Sequence, residues 1–174
     1  MFASSKSPFY PSTQLLTIDT IDREAYARLA IVHFAKHNVK FPHEVFDAIY
    51  DNYEGHTWYV QCLLNRLYGY DRDVNMDLAE YATQQIISEL SYSYADLLKT
   101  YPIGQVRLLK AIAREGCVKE ILSGNFISRH QLRAASSVSA SLKKLLDNEL
   151  VYPSANGYTV YDRFMDLWLR TQPF

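Results

Sequence analysis

The sequence predicts a mainly α fold in two parts, and three observations carry that prediction. Before Pro102, apolar residues recur at helical spacing in four successive segments separated by breakers such as Gly55 and the loop "GYDRDVN". After Pro102 the helical segments become shorter, and there are three of them. They are followed by two alternating runs in "VYPSANGYTVYD", centred on Asn156-Gly157, the strongest hairpin signal in the chain. Three helices and then a β-hairpin is the order of a winged helix-turn-helix domain.

Composition bounds the possibilities. The chain has 174 residues, 48% of them hydrophobic, enough for one medium core or two small ones. Its net charge of −1 gives no global field for nucleic acid or an anionic membrane. No run of about 18 apolar residues is present, so no membrane partner and a cytoplasmic location are expected. Cys62 and Cys117 are far apart and each lies in an apolar helical pattern, which reads as reduced core thiols.

In chain order, residues 1–18 read as extended, with "QLLTI" strand-like. The first helix follows Thr20, a capping residue, with Ile21, Ala25, Leu29 and Val32 as its apolar stripe and its end near Asn38. Pro42 opens a second helix with the stripe Val45, Phe46, Ile49, Tyr50 and Tyr53, stopped by Gly55. A third carries Val60, Leu63, Leu64, Leu67 and Tyr68, and Trp58 and Tyr59 at its start read as packed. Asn75 caps a long fourth helix that ends near Pro102, with Leu78, Ala82, Ile86, Leu90, Tyr94, Leu97 and Leu98 inward. Pro102 then opens a helix ended by Gly116. A short helix covers roughly Lys119 to His130, bent near "SGN". A serine-capped helix follows, with Val138, Leu142, Leu145 and Leu146 on one face; after the hairpin, "RFMDLWLR" closes the chain as a last turn or two.

Catalytic signatures are lacking. No GxxxxGK[ST] or GxGxxG occurs, and Ser137, Ser139 and Ser141 lack the turn of a nucleophile elbow. His33 and His37 stand at i, i+4, a spacing that can hold a metal, but no third ligand is apparent, and a surface pair is the plainer reading. Catalytic residues, a metal site and a cofactor in this chain are therefore expected to be none. A DNA-reading role would fall to Arg133, Ser137, Ser141, Lys143 and Lys144, although Asp147 and Glu149 on the same helix dilute the positive charge and point to weak contact. "GHTWYVQ", residues 55–61, admits two readings. Gly55 is a helix stop and Thr57 a cap, or the backbone is shaped to approach an anion, with His56 beside it.

Four segments carry a resemblance: "MFASSKSPFYPSTQLLTI", "GHTWYVQCLLNRLY", "AASSVSASLKKLLDNELV" and "GYTVYDRFMDLWLR". Together they resemble the C-terminal portion of prokaryotic AAA+/STAND-type ATPases, the archaeal-type ATPase family. The second is similar to that family's "GHPYYLQ"-like lid segment, with Thr57 where the family often has Pro. The resemblance implies a helical lid bundle over residues 19–100 and a winged helix-turn-helix domain over 101–174. It implies that residues 1–18 are an extended remnant of the ATPase core, able to self-associate once separated from it. Gly55, His56 and Thr57 would face bound nucleotide. ATP or ADP with Mg, and ATP hydrolysis, would belong to a longer protein containing the missing core. On this reading the chain is a regulatory module coupling nucleotide state to a partner, with a winged-helix DNA-binding transcription regulator as the alternative.

Overall fold

The computed structural model describes residues 20–174. The segment 1–18, with its expected strand and self-association, lies outside the described residues. Among these, the chain is mainly helical, with eight helices and one two-stranded antiparallel hairpin. It divides into two compact units, one ending at Val74 and one spanning Asn75–Phe174. No described helix is long and apolar enough to cross a membrane.

The first unit contains α1 (Arg23–Ala35), α2 (His43–Asn52) and α3 (Thr57–Tyr68). Its core is aromatic. Tyr26 meets Phe46 edge-on at 5.4 Å, and Phe34 stacks on Phe41 at 4.7 Å. Phe34, Phe46, Val60, Leu63 and Leu67 are fully enclosed, each such burial being worth about 1.5–3 kcal/mol. The face of α1 differs from the expected one. Tyr26, Ala27, Ala30 and Phe34 are buried, whereas Leu29 and Val32 are 67% and 57% exposed. The large rings win because they bury more area than Leu or Val and pair with the rings of the following segments. Asp22 rather than Thr20 caps α1, accepting from the Ala25 N–H at 2.8 Å. The stripes expected for α2 and α3 are largely buried as predicted, with Tyr50 and Tyr68 half-buried. Trp58, expected to pack, is 57% exposed, while Tyr59 is buried against Tyr53.

The second unit begins with α4 (Met76–Lys99), capped by the Asn75 side chain on the Leu78 N–H. Then follow α5 (Ile103–Glu115), α6 (Gly124–Arg129), α7 (Ala135–Asp147), β1 (Val151–Ser154), β2 (Gly157–Val160) and α8 (Arg163–Thr171). Leu108, Leu109, Ile112, Leu145, Phe164, Met165 and Leu169 are fully enclosed. Their elements pack together: α5 against α7 and α8, and α8 against α4. The helix after Gly116 is shorter than expected, because Ser123 caps it through the Phe126 N–H and Lys119–Leu122 stays outside it. Ala134, not a serine, precedes α7, and no side chain caps that helix. Ala155 and Asn156 form the two-residue turn, and Gly157 pairs with Ser154. Val118 adds a bridge to Tyr158 on the other edge of β2, which the sequence pattern did not announce.

Candidate functional site

Two places bring candidate residues together, one in each unit. In the first unit, α2 ends at Tyr53 and the chain reverses through Glu54 and Gly55, both with positive φ. Gly55 N–H donates to Tyr50 O at 2.8 Å, closing the end of α2. The next helix starts immediately, with His56 at its cap position and no side-chain hydrogen bond there. His56 is exposed, with its ring 4.8 Å from Tyr59, and Thr57 is half-buried. Gly55, His56 and Thr57 thus lie together at a helix start without a side-chain cap, where the helix dipole favours an anion.

In the second unit, a cleft of about 460 Å³ opens between the start of α5, the α6–α7 connection and the first turns of α7. Ser137 and Ser141 of α7 and Arg133 of the connection line it, with Leu108 and Val138 buried beneath. Ile103 and Arg107 of α5 stand on its other side. Lys143 and Lys144 are exposed further along α7, outside the cleft. The five residues expected for DNA reading are therefore divided: three line the cleft and two do not. Arg129 and His130, close by in sequence, are committed elsewhere. Both reach Glu115 Oε1 at 2.8 Å, and His130 is buried. The His130 and Arg129 hydrogen bonds hold the Glu115 carboxyl below its ordinary range.

Ile103 and Arg107 were not singled out from the sequence. The signal was an isoleucine off the buried stripe of its helix: Leu108, Leu109 and Ile112 are enclosed, while Ile103 is 65% exposed. His33 and His37 both lie against Tyr68, and among the described residues no group of three His, Cys, Asp or Glu is placed to hold a metal. Cys62 and Cys117 form no disulfide among the described residues, and both are half-buried rather than in the core.

Residues 92–171 match a family model described as a probable winged helix domain. The match runs from the last two turns of α4 through α8, and it covers the three helices and the hairpin that define that architecture. No curated protein and no solved structure matches the chain. The second unit carries a winged helix domain.

Proposed function

We propose that this chain is a regulatory interaction module that works joined to an ATP-binding core. Its first unit answers nucleotide state and its winged helix domain engages a partner. The turn before α3 carries the reading: a helix start without a side-chain cap, an exposed imidazole and a threonine hydroxyl lie within two residues. That arrangement suits a phosphate group. The likeness of "GHTWYVQ" to the lid segment of AAA+/STAND-type ATPases supports the link to ATP, and the family match supports the winged-helix half. Phosphate-loop and Mg-binding residues would come from the core, so this chain alone would bind no nucleotide tightly and hydrolyse none.

The test is made on the protein that joins this chain to a phosphate-loop domain encoded upstream in the same reading frame. His56→Ala and Thr57→Ala should each weaken ATP binding by about 1 kcal/mol, one hydrogen bond's worth, with unchanged melting. An upstream frame without a phosphate loop, or variants that bind ATP like the parent, would sink the reading.

Duplex DNA binding by α7 and the connection before it is the second reading, and two observations favour it. Arg133, Lys143 and Lys144 are exposed, and none is ion-paired among the described residues. Residues 101–174 also hold ten Lys and Arg against six Asp and Glu. Retention on duplex DNA that falls steeply with salt and is lost in Lys143→Glu and Lys144→Glu would support it. Salt-insensitive retention, or none at low salt, would remove it.

A further inference from the structure

We propose that the cleft between α5 and α7 is a docking site for an acidic peptide segment of a partner protein. One of the segment's apolar side chains enters the cleft while flanking carboxylates meet Arg107 and Arg133. The proposal takes up the partner-engaging half of the function above and is independent of its nucleotide-binding half.

The cleft has the size and lining for such an anchor. About 460 Å³ lies within the range of ligand pockets and holds one large apolar side chain with room to spare. Leu108 and Val138 form a buried floor, and Leu132 and Ile103 form apolar walls. Ile103 makes little use of the fold's own core, since most of its surface faces water at a helix start. A partner side chain seated there would remove that surface from water.

The rim sets the sign of the partner. Arg107 rises from α5 and Arg133 from the α6–α7 connection, so two guanidinium groups approach the cleft from different elements. Both are exposed, no residue lining the cleft is acidic, and neither arginine has an ion pair among the described residues. A guanidinium presents a planar fork of donors that matches a carboxylate. The starts of α5 and α7, behind Pro102 and Ala134, both lack a side-chain cap, which leaves N–H groups for peptide carbonyls as a lesser contribution.

A peptide fits better than a nucleic acid backbone. Phosphates would satisfy the arginines but would leave Ile103 and Leu132 as exposed as before. The lysines that would serve DNA lie outside the cleft, so substitution separates the two classes of partner.

Gly104 supplies a way to plug the site. A β-carbon built there meets only Ser141 Oγ, at 3.8 Å, and the backbone is not left-handed, so a larger side chain can project into the cleft without strain. Random peptides displayed on phage should be selected against the full chain, and a synthetic consensus peptide titrated by fluorescence polarisation. The expected consensus is one or two large apolar residues beside Asp or Glu. Arg107→Glu and Arg133→Glu should each weaken its binding about tenfold, as reversal of a charge that meets a carboxylate does. Gly104→Leu should weaken it at least as much. Gly104→Ala and Lys143→Glu should leave it near the parent value. Thermal melts establish that each variant is folded, and if Gly104→Leu is not, the two arginine reversals decide. Failure to enrich an acidic-apolar consensus overturns the proposal, as does a consensus peptide whose binding survives both arginine reversals. Retention of short duplex DNA lost in those reversals, with no peptide enriched, would assign the arginines to phosphate instead.

Discussion

Gly55 and Tyr50 leave no room between them for a methyl group. A β-carbon on Gly55 would lie 2.6 Å from both Cζ and Oη of Tyr50, and Gly55 also has a φ of 68°. Tyr50 is not free to retreat: its hydroxyl donates to Ile21 O at 2.8 Å, and the Arg23 guanidinium sits 4.9 Å over its ring. The glycine therefore has a packing cause as well as a conformational one. The case for a ligand at this turn rests on His56 and Thr57.

Gly55→Ala should accordingly destabilise the first unit. The left-handed backbone alone is worth about 1–2 kcal/mol against alanine, and the collision with Tyr50 adds to it. Tyr50→Leu introduced beside Gly55→Ala should recover part of the loss by removing the colliding ring atoms. Urea denaturation followed by tryptophan fluorescence reads this, and an alanine variant as stable as the parent would contradict the geometry.

The wing depends on a second glycine in the same way. A β-carbon at Gly157 would lie 2.4 Å from Val118 O, a backbone atom fixed by reciprocal hydrogen bonds with Tyr158 at 3.0 and 2.9 Å. Gly157→Ala must separate these strands or bend the turn. We expect a loss of about 2–3 kcal/mol, the range of a strained position with a broken backbone pair. The Val118 and Tyr158 amides should lose hydrogen-exchange protection while the α5 amides keep theirs. Unchanged protection at Val118 would refute the argument.

Acid stability should depend on Glu115. Its carboxyl is held below the ordinary glutamate range, first by the His130 hydrogen bond and then by that of Arg129. A depressed folded-state value means stability that is present above the unfolded glutamate value and lost as pH falls through the folded one. Glu115→Gln should flatten that part of the stability profile. Asp166 acts in the opposite sense. Burial raises its carboxyl, against the pull of Arg170, so its contribution is present at low pH and lost as pH rises through the folded value. The residual slope in Glu115→Gln should therefore be reduced or reversed. An acid limb identical to the parent's would show that the Glu115 cluster contributes nothing.

Legibility in the sequence followed the range of the physics. The hairpin at Asn156-Gly157, the Asn75 cap and the Gly116 stop are local, decided within a few residues, and all three stand in the structure. The buried face of α1 was not legible, because Leu29 and Val32 compete with Tyr26 and Phe34, and the rings of Phe46, Phe41 and Tyr68, from later segments, decide between them. Trp58 and Tyr59 were alike in sequence, yet only Tyr59 meets Tyr53 in a parallel stack. The cleft was hidden for the same reason. Arg133, Ser137 and Ser141 were visible as polar residues near α7, but their concave partner comes from α5, about thirty residues earlier, and exists only once α5 packs on α7.

The junction of α4 with α8 yields the last prediction. Asp162 serves two elements at once. Its Oδ1 accepts from the Phe164 and Met165 N–H groups at 2.9 and 3.0 Å, capping α8, while its Oδ2 accepts from the Tyr94 hydroxyl at 3.0 Å. Tyr94 also packs its ring 5.6 Å from Trp168, one face of α8. The family match begins at residue 92, so the end of α4 that carries Tyr94 lies inside the matched region. Asp162→Ala should cost about 1–2 kcal/mol, mostly through the lost cap. Tyr94→Phe keeps the ring but removes the hydroxyl, and should cost about 1 kcal/mol because Asp162 Oδ2 loses its donor. Because the two share one hydrogen bond, the double variant should lose less than the two single losses together, by about 0.5–1 kcal/mol. Asp162→Asn, which keeps an oxygen for the cap, should fall between Asp162→Ala and the parent. Strict additivity in this cycle, measured by urea denaturation, would mean that the cap and the ring packing hold α8 and that the bond to Tyr94 adds nothing.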